Sequence, residues 1–233
     1  MLRDPQIPLD LDQPRTIGQI LLTGLQVYSR WALLFIFLAG IVVVPYEVVI
    51  VLLAHRKTVS TATELIVGLI GTALVGPCIA AVQVQALLDL ADGLRPELRS
   101  IFQRGLSVLP VVAAAEIVVG LSEAAGVFLF VIPGIIVAVR WAVAGQVAAV
   151  ERTDWPTAIR RSIELTRYNF WRVLGLLLIA GILTELVAAL IEAGTGGLTI
   201  VGVVLAIVSF SFTTLLTNLL YFDLRAREST RVA

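Results

Sequence analysis

From Ala193 through Phe222 the chain runs thirty residues without a charge. A segment needs roughly 20 mainly apolar residues to cross about 30 Å of hydrocarbon, so this stretch is long enough to span a bilayer. Six stretches have this character, at about 31–53, 63–88, 108–129, 131–150, 171–192 and 198–222. Of all 233 residues, 58% are hydrophobic and 15% charged, which leaves too little polar surface to clothe a water-soluble domain of this size. The pattern predicts an all-α integral membrane protein with six transmembrane helices.

The basic residues give that bundle a direction. Arg3, Arg15 and Arg30 precede the first stretch; Arg95, Arg99 and Arg104 lie between the second and third. Arg152, Arg160, Arg161, Arg167 and Arg172 lie between the fourth and fifth, and Arg225, Arg227 and Arg231 follow the sixth. The opposite connections hold only Arg56 and Lys57, and Arg140 lies inside the fourth stretch. Short basic connections stay in the cytoplasm, so both termini are expected there, which demands an even number of crossings. Residues 1–15, polar and interrupted by Pro5, Pro8 and Pro14, read as a mobile cytoplasmic tail without a signal peptide, and 229–233 as a second tail.

Within a single membrane domain over 16–228 the sequence suggests three repeats, at about 16–90, 96–151 and 155–228. Thr16 is placed to cap a helix with Ile17, Ile20, Leu21, Leu25 and Tyr28 at helical spacing. Pro96 is placed to open a second short helix, with Leu98, Ile101, Phe102 and Leu106 on one side. Asp154 is placed to cap a third, with Ile159, Ile163 and Thr166 facing one way. Leu25, Tyr28 and Trp31 share their spacing with Leu165, Tyr168 and Trp171, and aromatics at such junctions belong at headgroup level. Spans two and six also end alike, in Leu88-Asp89-Leu90-Ala91 and Phe222-Asp223-Leu224-Arg225-Ala226. Each unit is then a cytoplasmic interfacial amphipathic helix followed by a transmembrane hairpin. Chance likeness is the alternative, since membrane flanks draw on few residue types.

Chemistry is sparse. One histidine, His55, and one cysteine, Cys78, exclude an internal disulfide and leave a His-based triad or a zinc site without partners. No nucleophile-and-base constellation is visible, so no catalytic residue, metal or cofactor is expected. Ionisable groups inside a bilayer are functional candidates by default. Glu116 and Arg140 average to position 128, near the expected hairpin tip, so an ion pair at matching depth is expected, either a packing clamp or a polar point in a pathway. Glu47 and Glu185 are the other deep carboxylates and candidate lining for a polar pathway, whereas Glu64, Glu123 and Glu192 fall toward span ends. Arg30, Arg99, Arg104, Arg160, Arg161, Arg167 and Arg172 are expected to meet lipid headgroups. Pro133-Gly134 is expected to make the third-to-fourth turn. The polar residues of spans two and six, including Gln83, Gln85, Ser209, Ser211, Thr217 and Asn218, are expected to bond between helices.

The second half carries a motif series: Val131-Ile132-Pro133-Gly134-Ile135-Ile136, Val139-Arg140-Trp141, Glu151, Ala158 to Thr166, Phe170-Trp171-Arg172 and Tyr221 to Arg227. This resembles the membrane domain associated with glycerophosphoryl diester phosphodiesterases and its stand-alone, largely uncharacterised bacterial relatives. In fused members hydrolysis belongs to a separate soluble barrel, for which this chain has no room, and one histidine does not furnish a metal-dependent phosphodiesterase. The resemblance implies a bacterial plasma-membrane protein without that activity. The expected function is a non-catalytic module that binds or organises anionic phospholipid or partner membrane proteins, a second copy included, and no nucleic acid. A small-solute or lipid transporter or channel using the intramembrane Glu and Arg residues is the alternative, and a membrane-embedded phosphodiesterase ranks last.

Overall fold

The computed structural model describes residues 10–54, 60, 63, 67, 71–129, 131–195 and 200–232. Among them the chain is helical, with no strand. The helices are α1 (Ile17–Ala54), α2 (Gly76–Ala91), α3 (Leu98–Leu129), α4 (Val131–Trp141), α5 (Ala144–Glu151), α6 (Trp155–Thr166), α7 (Phe170–Thr195) and α8 (Ile200–Val232). A π-helical turn, Gly71–Val75, leads directly into α2. Among the described residues five helical stretches are long and apolar enough to cross a membrane: Ile17–Ile50, Leu98–Ser122, Ile132–Glu151, Phe170–Ile191 and Val201–Arg231. Of the second expected span only the π turn, α2 and isolated positions are described; His55, Arg56, Lys57 and Glu64 lie outside the described residues.

Local signals account for the helix starts. Thr16 and Gln19 form a capping box: the Gln19 N–H donates to Thr16 Oγ1 at 3.2 Å and the Thr16 N–H to Gln19 Oε1 at 2.7 Å. Helical geometry is then broken at Trp31, with φ −115° and ψ 23°, at the junction that the aromatic spacing marks. Asp154 takes the extended N-cap conformation before α6 with Pro156 in the first turn, although its side chain makes no cap bond. The α6 face is also rotated from expectation: Ala158, Ile159, Ser162, Leu165 and Thr166 are buried, whereas Ile163 is exposed.

Three expectations are corrected. The amphipathic segment after Pro96 is not a separate helix but the first turns of α3, which runs unbroken through Pro110. No stop signal separates the two, and 32 residues rise about 48 Å, more than the bilayer core requires. Pro133-Gly134 does not make the turn: α4 already begins at Val131, and a proline in a first turn removes an N–H that has no helical partner anyway. The fourth stretch is not one helix either, because it breaks between Trp141 and Ala144 into α4 and α5.

That break is held from outside. Ser162 Oγ of α6 donates to the Arg140 carbonyl at 2.9 Å and accepts the Val143 N–H at 3.4 Å, while Thr166 Oγ1 lies 3.2 Å from the same carbonyl and shares its one proton between it and the Ser162 carbonyl at 2.8 Å. Backbone groups freed by a broken helix must find partners in a low-dielectric interior, and two hydroxyls of the amphipathic helix supply them.

Helices α2, α5 and α8 touch one another at the centre; α1 packs on α8, α3 against α2, α4 and α5, and α7 against α8. Buried polar groups join these elements. Gln83 Nε2 donates to Ser211 Oγ at 2.7 Å, Ser211 Oγ donates to the Phe35 carbonyl at 3.0 Å, and Gln146 Nε2 donates to Thr217 Oγ1 at 3.4 Å. Away from this centre α1 exposes Leu33, Phe37, Ile41, Val44, Val48 and Leu52, a stripe at helical spacing suited to acyl chains.

Helix α3 meets the backbone of α2 at Gly105, where an added Cβ would lie 2.8 Å from Val82 Cγ2 and 3.1 Å from the Val82 Cα. Small residues permit such backbone contact between membrane helices. Gly105→Leu therefore forces α3 off α2, and we expect a loss of about 1–3 kcal/mol or more, read as a lower unfolding temperature in detergent.

Candidate functional site

The charged groups gather where α2, α5 and α8 end. Asp89, 8% exposed in its side chain, pairs with Arg104 at 2.6 Å. Glu151 lies 3.6 Å from Arg161 and accepts the Tyr221 hydroxyl at 3.1 Å. Arg161 also meets Glu164 at 3.4 Å and Glu228 through both terminal nitrogens. Hydrogen bonding to Glu228 raises the Arg161 pKa above its ordinary value, against a smaller opposing effect of burial.

Asp223 is the best-enclosed of these carboxylates, with a side chain 0% exposed. Arg172 Nε donates to it at 2.8 Å, Arg227 Nε at 3.1 Å, and the Arg15 backbone N–H at 2.6 Å. Arg227 Nη2 in turn donates to the Arg15 carbonyl at 2.8 Å. Two guanidinium nitrogens here, Arg15 Nη1 and Arg172 Nη2, are buried without a hydrogen-bond partner. One helical turn beyond Arg227, Arg231 lies over the Tyr168 ring at 4.7 Å, and Arg167 lies over the same ring at 5.3 Å. Tyr168 is 66% exposed and Trp171 80%.

Of the residues expected to meet headgroups, Arg104, Arg161, Arg167 and Arg172 thus belong to this end of the bundle. Arg99 and Arg160 are exposed, Arg160 donating to the Pro156 carbonyl of its own helix at 3.4 Å, and Arg30 is exposed on α1. Sequence reasoning did not single out Arg15, Asp223, Arg227 and Arg231. The spacing of four from Asp223 to Arg227 to Arg231 was the signal available, since it puts the three on one face of a helix.

Among the described residues no ion pair joins Glu116 to Arg140. Helix α3 runs to Leu129 and α4 starts at Val131, and the residue that lies against Glu116 is Gly145, five residues beyond Arg140. An added Cβ on Gly145 would collide with Glu116 Oε1. Arg140, at the end of α4, instead lies 5.9 Å from the centre of the Phe170 ring, with Nη1 buried and lacking a hydrogen-bond partner.

Glu116 borders two cavities. One, of about 340 Å³, lies among α3, α4 and α7 and is lined by Val119, Trp141 and Leu177. The other, of about 480 Å³, lies among α1, the π turn, α3 and α8, and brings Glu47 and Glu116 together with Tyr46 and Phe210. Glu185 lines neither and is exposed on α7. No group of three or more His, Cys, Asp or Glu suited to a metal ion occurs among the described residues.

The fold and this charge distribution define a helical, multi-span membrane protein with an arginine-rich end. Comparison of the chain with family models, with curated proteins and with solved structures finds no match.

Proposed function

We propose that the chain is a six-span, non-catalytic module of a bacterial plasma membrane whose arginine-rich cytoplasmic end binds and organises anionic phospholipid. The observation that carries this reading is the corner around Asp223, where arginines outnumber carboxylates beside exposed Tyr168 and Trp171. Arginine suits phosphate oxygens, and basic residues just cytoplasmic of a span are attracted to anionic headgroups.

Two further facts support the architecture within this reading. Arg15 touches Asp223 and Arg227, so the segment before α1 packs against the last turns of α8, which supports an even number of spans. Asp89 and Glu151, in the last turns of α2 and α5, each pair with an arginine of the following unit, Arg104 and Arg161, whereas Asp223 pairs with Arg172 and Arg227 of its own unit and accepts only the backbone N–H of Arg15. The resemblance to the phosphodiesterase-associated membrane domain supports the bacterial location.

Stability is the direct test. A ligand that binds only the folded state raises its stability by mass action, so phosphatidylglycerol added to the detergent-solubilised protein is expected to raise the unfolding temperature where phosphatidylcholine does not. Equal shifts with both lipids sink the proposal.

The cavity holding Glu47 and Glu116 favours a second reading, a small-solute transporter with these carboxylates as polar lining. Here Gly145→Ala is informative, because the atom it displaces is the far end of a flexible side chain and the fold should persist. Transport predicts that cation flux into liposomes falls with Gly145→Ala and with Glu116→Gln. Flux absent from the wild type ends that reading.

A further inference from the structure

Building on the lipid-binding reading above, we infer that the Asp223–Arg227–Arg231 face of α8, with the Arg167–Arg172 corner and Arg15, forms a phosphate site. Arg172, Arg227 and the Arg15 backbone meet at Asp223, and Arg167 and Arg231 meet at the ring of Tyr168, one residue before Asn169 and four before Arg172. Asp223 already accepts from Arg172, Arg227 and the Arg15 N–H, and Arg15 Nη2 donates to the Asp10 carbonyl, yet Arg15 Nη1 and Arg172 Nη2 remain without acceptors. The neighbouring carboxylates do not make up the deficit. Glu228 is engaged by Arg161, and the Asp10 carboxylate by the Asp12 N–H.

Arg167 and Arg231 sharpen the case. Both lie on the ring of Tyr168, and among the described residues neither is in an ion pair. Two cations brought to one ring repel unless an anion lies near both. The contrast with Arg161, on α6 and paired with Glu228 of α8, is direct: that one guanidinium has three carboxylates within 4 Å. The excess is therefore local to this corner. A tetrahedral phosphate provides acceptors for several guanidinium forks at once.

The surroundings favour a phosphate that comes with a lipid. Trp171, Leu178 and Ile182 are exposed at spacings of seven and four on α7, so an apolar track runs from the corner toward the membrane interior. Aromatic residues such as Tyr168 and Trp171 mark headgroup depth.

The test uses the full chain in detergent, with phosphatidylglycerol, phosphatidylcholine and inorganic phosphate as separate probes and bound adducts counted by native mass spectrometry. The site variant is Arg167→Gln with Arg231→Gln, both exposed positions. The control is Arg99→Gln with Arg160→Gln, exposed arginines outside the corner. The wild type should retain phosphatidylglycerol over phosphatidylcholine. The site variant should lose about tenfold or more of that retention, the loss that accompanies one charge-assisted hydrogen bond, and the control should be nearly unchanged.

Equal losses in both variants overturn the site while leaving lipid binding intact. A wild type that holds phosphatidylglycerol no better than phosphatidylcholine overturns both. If inorganic phosphate displaces the lipid from the wild type and not the residual lipid from the site variant, the same site stands with a soluble anion as a second source. Absence of such displacement assigns the site to the lipid headgroup.

Discussion

Asp223→Asn should leave little folded protein to purify. The substitution keeps the shape of the side chain and removes the charge that Arg172 and Arg227 share, in a position with no solvent access. Breaking a buried ion pair from one side costs about 3–5 kcal/mol, because the remaining charges are left uncompensated, and total stabilities are only about 5–15 kcal/mol. The Arg15 segment, which rests on the same carboxylate, should detach with it. Glu164→Gln is the matched control: its side chain is 66% exposed, and its contact with Arg161 is one of three. An exposed pair is worth about 0–1 kcal/mol. Size-exclusion profiles and thermal unfolding in detergent measure both variants, and an Asp223→Asn protein as stable as wild type contradicts the account of this corner.

The second large effect is expected at Ser162. Its hydroxyl serves both sides of the α4–α5 break, donating to the Arg140 carbonyl and accepting from the Val143 N–H, and it is fully buried. In Ser162→Ala both groups lose that partner, although Thr166 still reaches the carbonyl. A buried polar group left unsatisfied costs about 1–3 kcal/mol. We expect a lowered unfolding temperature and faster proteolysis in the corner between α6 and α7, with a larger loss when Thr166→Val is added. If both variants unfold with the wild type, the two hydroxyls do not hold the break.

The apolar stretches, the Thr16 cap and the interruption at Trp31 were legible in the sequence because each depends on neighbours within a few residues. Where the sequence misled, small local offsets had long consequences. With α3 continuing to Leu129, past the expected tip at about 128, Gly145 takes the place of Arg140 as the residue against Glu116. Reading Pro133-Gly134 as a turn overlooked that proline is equally suited to a first helical turn. The Asp223 cluster joins residues 208 positions apart, Arg15 and Asp223, and no local pattern reports such a contact. Charge counting placed these arginines on one side of a membrane; only tertiary packing shows which carboxylates compensate them. Arg161 and Arg167 illustrate the point, since they lie within two turns of one another and differ completely in their partners.

The most direct measurement of the central claim is the headgroup composition of the phospholipid that stays with the protein through mild detergent purification, compared with that of the membrane it came from. Binding at the arginine-rich end predicts enrichment of anionic phospholipid over bulk. Retained lipid with the bulk composition, or enriched in zwitterionic headgroups, would contradict it.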